Sequence, residues 1–517
     1  MTNHNQLTDS PEPYWRDSVQ FEKYPKLKET SRAEVGIVGG GITGLTAAYL
    51  LAQENIKVIL IDSGSILNGT TGHTTAKITA QHGLIYDELI QNFGEENAKL
   101  YYQAQIEAKQ MIEGNISTHD IDCDYRNEDA YIYTNKNSYI RKLELEKKAY
   151  DQLGIEGELT TKIPLNIPFK KALKMKNQAM FHPLKYLRKL VDECVKMGVQ
   201  IFEQTTATDV EYNKKPTIVT RDGARIICDY VVEASQFPFY DGQGFYPTRM
   251  YAERAYVIAV KSFLTYPGGI YINAESPTRS IRSTSLNGED LWLIGGENHK
   301  TGQGKSTTKH YQALYDYANK YFNVSDYMYR WSAQDLTTLD KIPYIGSITK
   351  TQSNVFVATG FRKWGMTNGT IAAKVITDYI LNRKNPYMEL FTPSRFQINP
   401  SLKQFTAVNF DVAKHLIKGK LENTKDIQSI ENLTPGNALV TRINGNRTGV
   451  FMDENHKVYM LDTTCTHLRC EVEWNSGDQT WDCPCHGSRF SYTGEVITGP
   501  ATRPLDQTII DDFKKEK

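Results

Sequence analysis

The sequence predicts an α/β domain built on a parallel sheet, interleaved with an α+β domain and followed by a small all-β domain. Three observations predict it. Near the start, a glycine cluster lies between a buried-strand run and a helical run. Downstream, helix-like segments alternate with strand-rich ones, so two folding units share the chain. In the last fifth, Ala438-Leu-Val-Thr441, the turn pair Asn444-Gly445 and Lys457-Val-Tyr-Met-Leu461 read as short strands around two cysteine- and histidine-bearing boxes.

At 517 residues the chain exceeds what one core supports, so two or three domains are expected. Basic and acidic residues balance at 60 each, which argues against nucleic acid or another polyanion as partner. No apolar run is long enough for a transmembrane segment. The polar start lacks the basic and apolar regions of a secretory signal, so the expected location is cytoplasmic. Cys123, Cys194 and Cys228 are scattered and read as free buried thiols.

In chain order, residues 1–30 are polar, carry Pro11 and Pro13, and read as an N-terminal extension over the first domain. Ala33–Val38 reads as a buried strand, Leu45–Ala52 as a helix and Lys57–Asp62 as a second strand, which makes one βαβ unit. Residues 84–115 read as a helix and Ala130–Thr134 as a strand. Ser138 is placed to cap a charged helix running to Leu153. A helix Leu187–Met197, a strand Val199–Glu203 and one buried strand Ile226–Glu233 follow. Residues 250–300 are strand-rich, with Tyr256–Val260 and Leu291–Ile294 as clear runs. The strand Val355–Ala358 feeds a helix Thr370–Leu381. Residues 385–424 read as a linker with an amphipathic stretch from Val412 to Leu421, and 425–517 as the all-β domain.

Gly39-Gly-Gly41-Ile42-Thr43-Gly44 fits G-x-G-x-x-G in its full context, after a strand, opening a helix, with Asp62 ending the next strand. Gly39 permits the tight turn, Gly41 lets the backbone approach a pyrophosphate, and Gly44 lets helix and strand pack closely. The helix N-terminus offers N–H groups to the anion, and Asp62 can accept from ribose hydroxyls. Only one such fingerprint occurs. A second glycine-bearing strand-to-helix junction, Gly360-Phe-Arg-Lys363-Trp364-Gly365-Met366-Thr367, suits the isoalloxazine end of FAD.

On these residues, together with Ser63–Thr75, Val210, Val231–Ala234 and Asp340–Gly346, the segment 31–384 resembles the D-amino-acid-oxidase (DAO) type of FAD-dependent oxidoreductase. The resemblance implies an α/β FAD-binding (Rossmann-like) domain, from segments near 31–83, 181–240 and 330–384, interleaved with an α+β substrate domain. It implies FAD contacts at Gly39, Gly41, Ile42, Thr43, Gly44, Asp62, Ser63, Thr70, Thr71, Thr74, Thr75, Val210, Ala234, Gly360, Trp364, Gly365, Met366 and Thr367. His73 and His82 are candidates for covalent flavin attachment, with a polar cleft histidine as the commoner outcome. Arg254, Arg282 and His299 fall in the substrate half, where a carboxylate is met, although a structural role is the more frequent one for such residues. No catalytic acid or base is assigned.

The boxes are Cys465-Thr-His467-Leu-Arg-Cys470 and Cys483-Pro-Cys485-His486-Gly-Ser488. Each supplies one thiolate and one imidazole, the ligand set of a [2Fe–2S] cluster with Cys465 and Cys483 on one iron and His467 and His486 on the other. Zinc also takes two Cys and two His, but its knuckle pairs usually stand two to four residues apart, whereas a single residue separates Cys465 from His467. Residues 425–511 resemble a Rieske domain of the cytochrome bc type, and Gly499-Pro500-Ala501 resembles its proline loop. The resemblance implies a disulfide between Cys470 and Cys485. Ser488 is placed to donate a hydrogen bond to a cluster sulfur. Two positions depart from the family: Arg469 replaces the usual Gly, and Phe490 stands where a tyrosine often donates to a cysteine sulfur, which predicts a lower potential.

Together the two resemblances imply that a small-molecule amine or amino acid reduces FAD, that electrons pass singly to the cluster, and that an external one-electron carrier collects them. Two alternatives stand. One is a reductase with electrons flowing from an outside donor to FAD. The other is a redox sensor or electron-transfer protein with no substrate. A Rieske oxygenase component needs a mononuclear iron triad, and no convincing His/His/Asp set is evident.

Overall fold

The computed structural model describes residues 11–508 apart from 213–214, 305, 396–400, 422–426 and 444. The turn residue Asn444, the first ten residues of the extension, two pieces of the expected linker and residues 509–517 of the all-β domain therefore lie outside the described residues. Among those described, no helix is long and apolar enough to cross a membrane.

The βαβ unit forms from Val35–Val38, Ile42–Gln53 and Val58–Ile61. Its strands pair in parallel, Val38 with Ile61, and Tyr230–Glu233 joins on the other side with Glu233 opposite Val38. The six-stranded sheet is completed by Gln352–Thr359, Tyr344–Thr349 and Gln200–Phe202. Alternate residues face opposite layers, as strand geometry demands. Val35, Ile37, Val58 and Leu60 share a core with the helices Ile42–Gln53, Pro183–Lys196 and Gly365–Ile380. Val38, Ile59 and Ile61 face a small four-stranded sheet instead. With both faces covered, the strands read as unbroken apolar runs.

The interleaved domain is a nine-stranded sheet in which Met250–Ser262 pairs with both Glu289–Lys300 and Val324–Thr338. Its packing helix is Thr308–Tyr321, which buries Tyr311, Leu314 and Tyr315. The C-terminal unit has a three-stranded sheet (Ala438–Ile443, Asn446–Met452, Val458–Asp462) and a four-stranded one (Glu473–Asn475, Thr480–Asp482, Arg489–Ser491, Val496–Thr498). Box one follows the first sheet. Box two is the connection between the middle strands of the second.

Several elements differ from the sequence reading. The expected strand Ile226–Glu233 is two strands, because Cys228 and Asp229 leave one sheet for the other. Ser138 lies inside its helix, which starts at Asn137 without a side-chain cap. The last α/β helix starts at Gly365 rather than Thr370. The expected linker contains a helix, Ser401–Leu421, whose Val412 and Leu416 pack against the cysteine boxes. The extension is anchored: Trp15 is fully buried and its indole N–H donates to Thr74 O at 2.7 Å, while Tyr14 Oη donates to Ser285 O at 2.6 Å.

Candidate active site and cluster loops

A cavity of about 740 Å³ runs from the glycine loop to the interleaved domain. At Gly39, φ is +110° and a Cβ would stand 2.4 Å from Ala234 O. At Gly44 a Cβ would come within 2.0 Å of Gly39 O, so this glycine serves helix packing and does not line the cavity. Gly39, Gly41, Ile42 and Thr43 do line it. The Asp62 carboxylate accepts from the Gly40 and Gly64 amides, each at 2.8 Å. It thus shapes the loop as well as lining the cavity, and burial raises its pKa. Thr71 Oγ1 accepts from the Ile42 amide at 3.1 Å, which ties the hydroxyl-rich segment Thr70–Thr75 to the helix start. Ser63, Thr70, Thr71, Thr74, Thr75 and Ala234 also face the cavity.

Val210 does not. It sits in the core beside Ile218, and Thr206 and Ala207 reach the cavity in its place. The reason is a register shift between Val219 and Thr220, which pair with Asp209 and Ala207 and leave Thr208 as the extra residue. The sequence offered no sign of this bulge.

At the far end, Gly360, Trp364, Gly365 and Met366 line the cavity. Thr367 is turned away, with Oγ1 3.2 Å from His82 Nε2. His82 stacks on Trp364 at 4.7 Å and meets Tyr101 Oη through Nδ1 at 2.7 Å, so it is a packed structural imidazole. His73 lines the cavity with Nδ1 3.0 Å from Gly69 O, and burial brings its pKa down to about 4. Asp335 lies on the same wall, its pKa pushed up to about 6 by burial against the opposing pull of Lys363.

Lys77 closes the interleaved-domain side and had no role in the sequence reading. Its Nζ donates to Thr75 Oγ1 at 2.7 Å and Ser280 Oγ at 3.2 Å, and no acidic partner reaches it among the described residues. Burial, with repulsion from Arg282, brings its pKa down to about 7. Arg282 is fully buried and spent on the carbonyls of Thr75, Ala76, Phe181 and Ser283. His299 accepts from Tyr256 Oη or donates to it at 2.9 Å and stacks on His310 at 4.5 Å. Neither is placed to meet a ligand carboxylate.

Box one turns tightly, with the Cys465 amide donating to Cys470 O and the Arg469 amide to Cys465 O. In box two the Cys483 amide donates to Ser488 O. A disulfide joins Cys470 to Cys485. The sulfurs of Cys470, Cys483 and Cys485 cluster closely, but the disulfide removes two of them as ligands. Cys465 and Cys483 remain, both buried. The rings of His467 and His486 lie 5.1 Å apart and nearly perpendicular. Both Nδ1 atoms are buried and have no hydrogen-bond partner among the described residues. The Cys465 thiol is brought down to about 7, chiefly by a hydrogen bond from Cys483, with N–H groups of His467 and Leu468 and the Ser488 hydroxyl adding to it. Burial keeps both imidazoles neutral, with pKa values near 4. Two orphaned imidazole nitrogens and two thiols ringed by donors form a metal-ligand set, because a buried unsatisfied nitrogen is costly unless a metal takes it.

The C-terminal unit is docked on the other two. Arg254, only 1% exposed, lies 3.8 Å from Asp478 and 3.5 Å from Asp482, and Arg489 pairs with both aspartates. Tyr311 Oη donates to Asp478 at 2.8 Å and Arg330 to Gly477 O at 2.6 Å. Gln334 is the link to the cavity. Its carbonyl accepts from Thr70 and Gln236, and its side-chain amide donates to Gly487 O at 2.9 Å, next to His486.

Residues 34–379 match the FAD dependent oxidoreductase (DAO) family and residues 423–509 the Rieske [2Fe-2S] domain. The chain belongs to the FAD dependent oxidoreductase family and carries a Rieske domain. It is an oxidoreductase with iron–sulfur electron transfer, and its cofactors are FAD and a [2Fe–2S] cluster. It is similar, at 47% identity over 99% of this chain and 100% of the other, to the Rieske 2Fe-2S iron-sulfur protein YhfW of Bacillus subtilis (strain 168). Gamma-glutamylputrescine oxidoreductase of Escherichia coli (strain K12) is 22% identical over 44% of this chain and 55% of its own length. The glycine oxidase of Geobacillus kaustophilus shares the fold at 17% identity with a TM-score of 0.60, over 71% of this chain and all of that one. The residues fit both groups: at the cavity-lining Gly41 a Cβ would stand 3.0 Å from Thr71 Oγ1 and fill the glycine cradle, and among the described residues the imidazole Nδ1 atoms have no hydrogen-bond partner.

Proposed function

We propose that this protein is an amine or amino-acid dehydrogenase in which electrons leave a flavin cavity for the adjacent cluster and then an external one-electron carrier. FAD, when bound, accepts a hydride, and a Rieske cluster carries one electron at a time. The observation that carries the reading is Gln334, which joins the cavity wall at Thr70 and Gln236 to Gly487 beside His486. The relatives named for gamma-glutamylputrescine and glycine support a C–H next to nitrogen as the bond attacked.

The residues' own work is binding and placement. The Ile42–Gln53 helix start, Thr71 and Asp62 shape the phosphate and ribose end. Lys77 supplies an ammonium that has no counter-ion among the described residues at the interleaved-domain end of the cavity, which supports a substrate bearing a carboxylate as well as an amine. Thr75 and Ser280 hold that ammonium in place. Cys465, His467, Cys483 and His486 would hold the cluster, with backbone N–H groups aimed at the sulfurs.

The test is anaerobic mixing of the purified holoprotein with a panel of amines and amino acids. Flavin bleaching followed by the reduced-cluster signal supports the dehydrogenase. Reduction only by an outside electron donor overturns it in favour of reverse flow, and silence toward both leaves an electron-transfer protein without a substrate.

A further inference from the structure

We propose that the Rieske domain supplies one wall of the FAD cavity, and that the segment 495–502 contacts FAD itself. The inference rests on the family's FAD and is independent of which substrate is oxidised. The same cavity that begins at Gly39 is bounded by Val496, Ile497, Thr498 and Thr502 of the C-terminal unit. These residues offer two hydroxyls and apolar surface, the mixture that suits a dinucleotide's polar chain and flat rings. The cavity-lining Phe237 lies 6.2 Å, ring to ring, from the cluster ligand His467, so the wall and the cluster loops approach the cavity together.

The docking that holds this wall is not a loose association. Arg254, Asp478 and Asp482 are almost fully buried between the units. Thr307 Oγ1 donates to Asn475 at 2.6 Å and accepts from the Gly477 amide at 2.7 Å. A Cβ at Gly302 would stand 2.5 Å from Pro484 N, and one at Gly487 2.6 Å from Ala252 Cβ. Backbones this close leave no space for water or for a sliding surface. Charges buried this deeply are tolerated only while their partners stay in place, so the docked arrangement is held as a unit.

The experiment compares hydrogen exchange of the FAD-replete protein with protein from which FAD has been removed, the cluster being verified by its electron paramagnetic resonance signal. Amides in 495–502 are expected to exchange about tenfold more slowly, or better, with FAD present. Identical exchange with and without FAD, at full cluster content, overturns the proposal. Arg254→Met gives an independent reading: FAD should dissociate about tenfold faster, seen as a rise in free-flavin fluorescence, with the cluster signal unchanged. An unaltered release rate in a variant whose interface is shown by proteolysis to be open overturns it equally. If Arg254→Met does not accumulate, Thr307→Val, which removes only uncharged hydrogen bonds from the same interface, is measured against the same two outcomes. Flavin retention is read without any substrate, so failure here is distinguishable from failure of the dehydrogenase reading.

Discussion

Lys77→Met tests the substrate end most directly. Methionine keeps much of the apolar stem and removes the ammonium. Among the described residues that ammonium has two hydroxyl acceptors and no carboxylate partner, so its third N–H and its charge are available to a ligand. A buried hydrogen bond to a charged group contributes about 1.5–3 kcal/mol, which is roughly 10- to 150-fold in affinity. The assay is an anaerobic titration of the flavin spectrum with a reactive amino acid and with its decarboxylated amine. The apparent Kd of the amino acid should rise by that factor in Lys77→Met, and that of the amine should not. The pH dependence has a definite sign. With its pKa brought down to about 7 by burial and by Arg282, the free lysine is charged below that value and neutral above it. Carboxylate affinity should therefore be greatest below about pH 7 and fall by up to about tenfold per unit above it. Bound carboxylate stabilises the ammonium, so the break in the complex lies higher. The amine's own titration is common to both ligands and cancels in their ratio. Equal weakening of both ligands in Lys77→Met, or the same pH profile in variant and wild type, would refute the reasoning.

Asp478 gives an acid-stability prediction. Burial alone would raise its pKa, but Arg489 and Arg254, with hydrogen bonds from Ser332 and Tyr311, bring it to about 2. A depressed acid stabilises the folded state above its unfolded pKa, so about 2–3 kcal/mol should be lost between about pH 4 and pH 2; urea unfolding should show this slope in wild type and not in Asp478→Asn, and equal slopes would count against it. Phe490 is fully buried in the core that contains Cys465 and Cys483, so Phe490→Tyr should raise the cluster potential by adding a donor, and an unchanged potential in a redox titration would discard that role. Gly44→Ala should purify with little flavin, because its Cβ would overlap Gly39 O at 2.0 Å; a full flavin complement at the glycine-loop site would show that the helix can shift to absorb it.

Much of this site was readable because its signals are local. The glycine loop needs small residues at fixed spacing between a strand and a helix, and the boxes place ligands within a few residues of one another. Those constraints act along the chain, where sequence displays them. Val210 lies in the core, away from the cavity, because a single bulge opposite Thr220 changes which side chain turns to the cavity, and bulges carry no reliable composition. Lys77 carries no signal along the chain, because its isolation from carboxylates among the described residues is a property of the packed site. Along the chain Trp15 is indistinguishable from a surface aromatic; its burial depends on a partner 59 residues away, Thr74 O.

Arg254 shows how the fusion changes the meaning of a residue. On the strand Met250–Ser262 of the interleaved domain, an arginine invites the role of carboxylate anchor. Its two carboxylates turn out to be Asp478 and Asp482, supplied by a domain far along the chain. Four buried charges of balanced sign are a costly way to join two surfaces, since desolvation offsets most of their attraction. An apolar interface of equal area would bind as well but would tolerate rotation and slip. Paired charges with Ser332 and Tyr311 as further hydrogen-bond donors accept one orientation. Electron transfer weakens steeply with separation, so an orientation that keeps Gly487 against Gln334 has a functional consequence that affinity alone does not supply. The interface therefore acts on the placement of the cluster, and the tolerance of each of its charges to substitution should follow how far its loss lets Gly487 move away from Gln334.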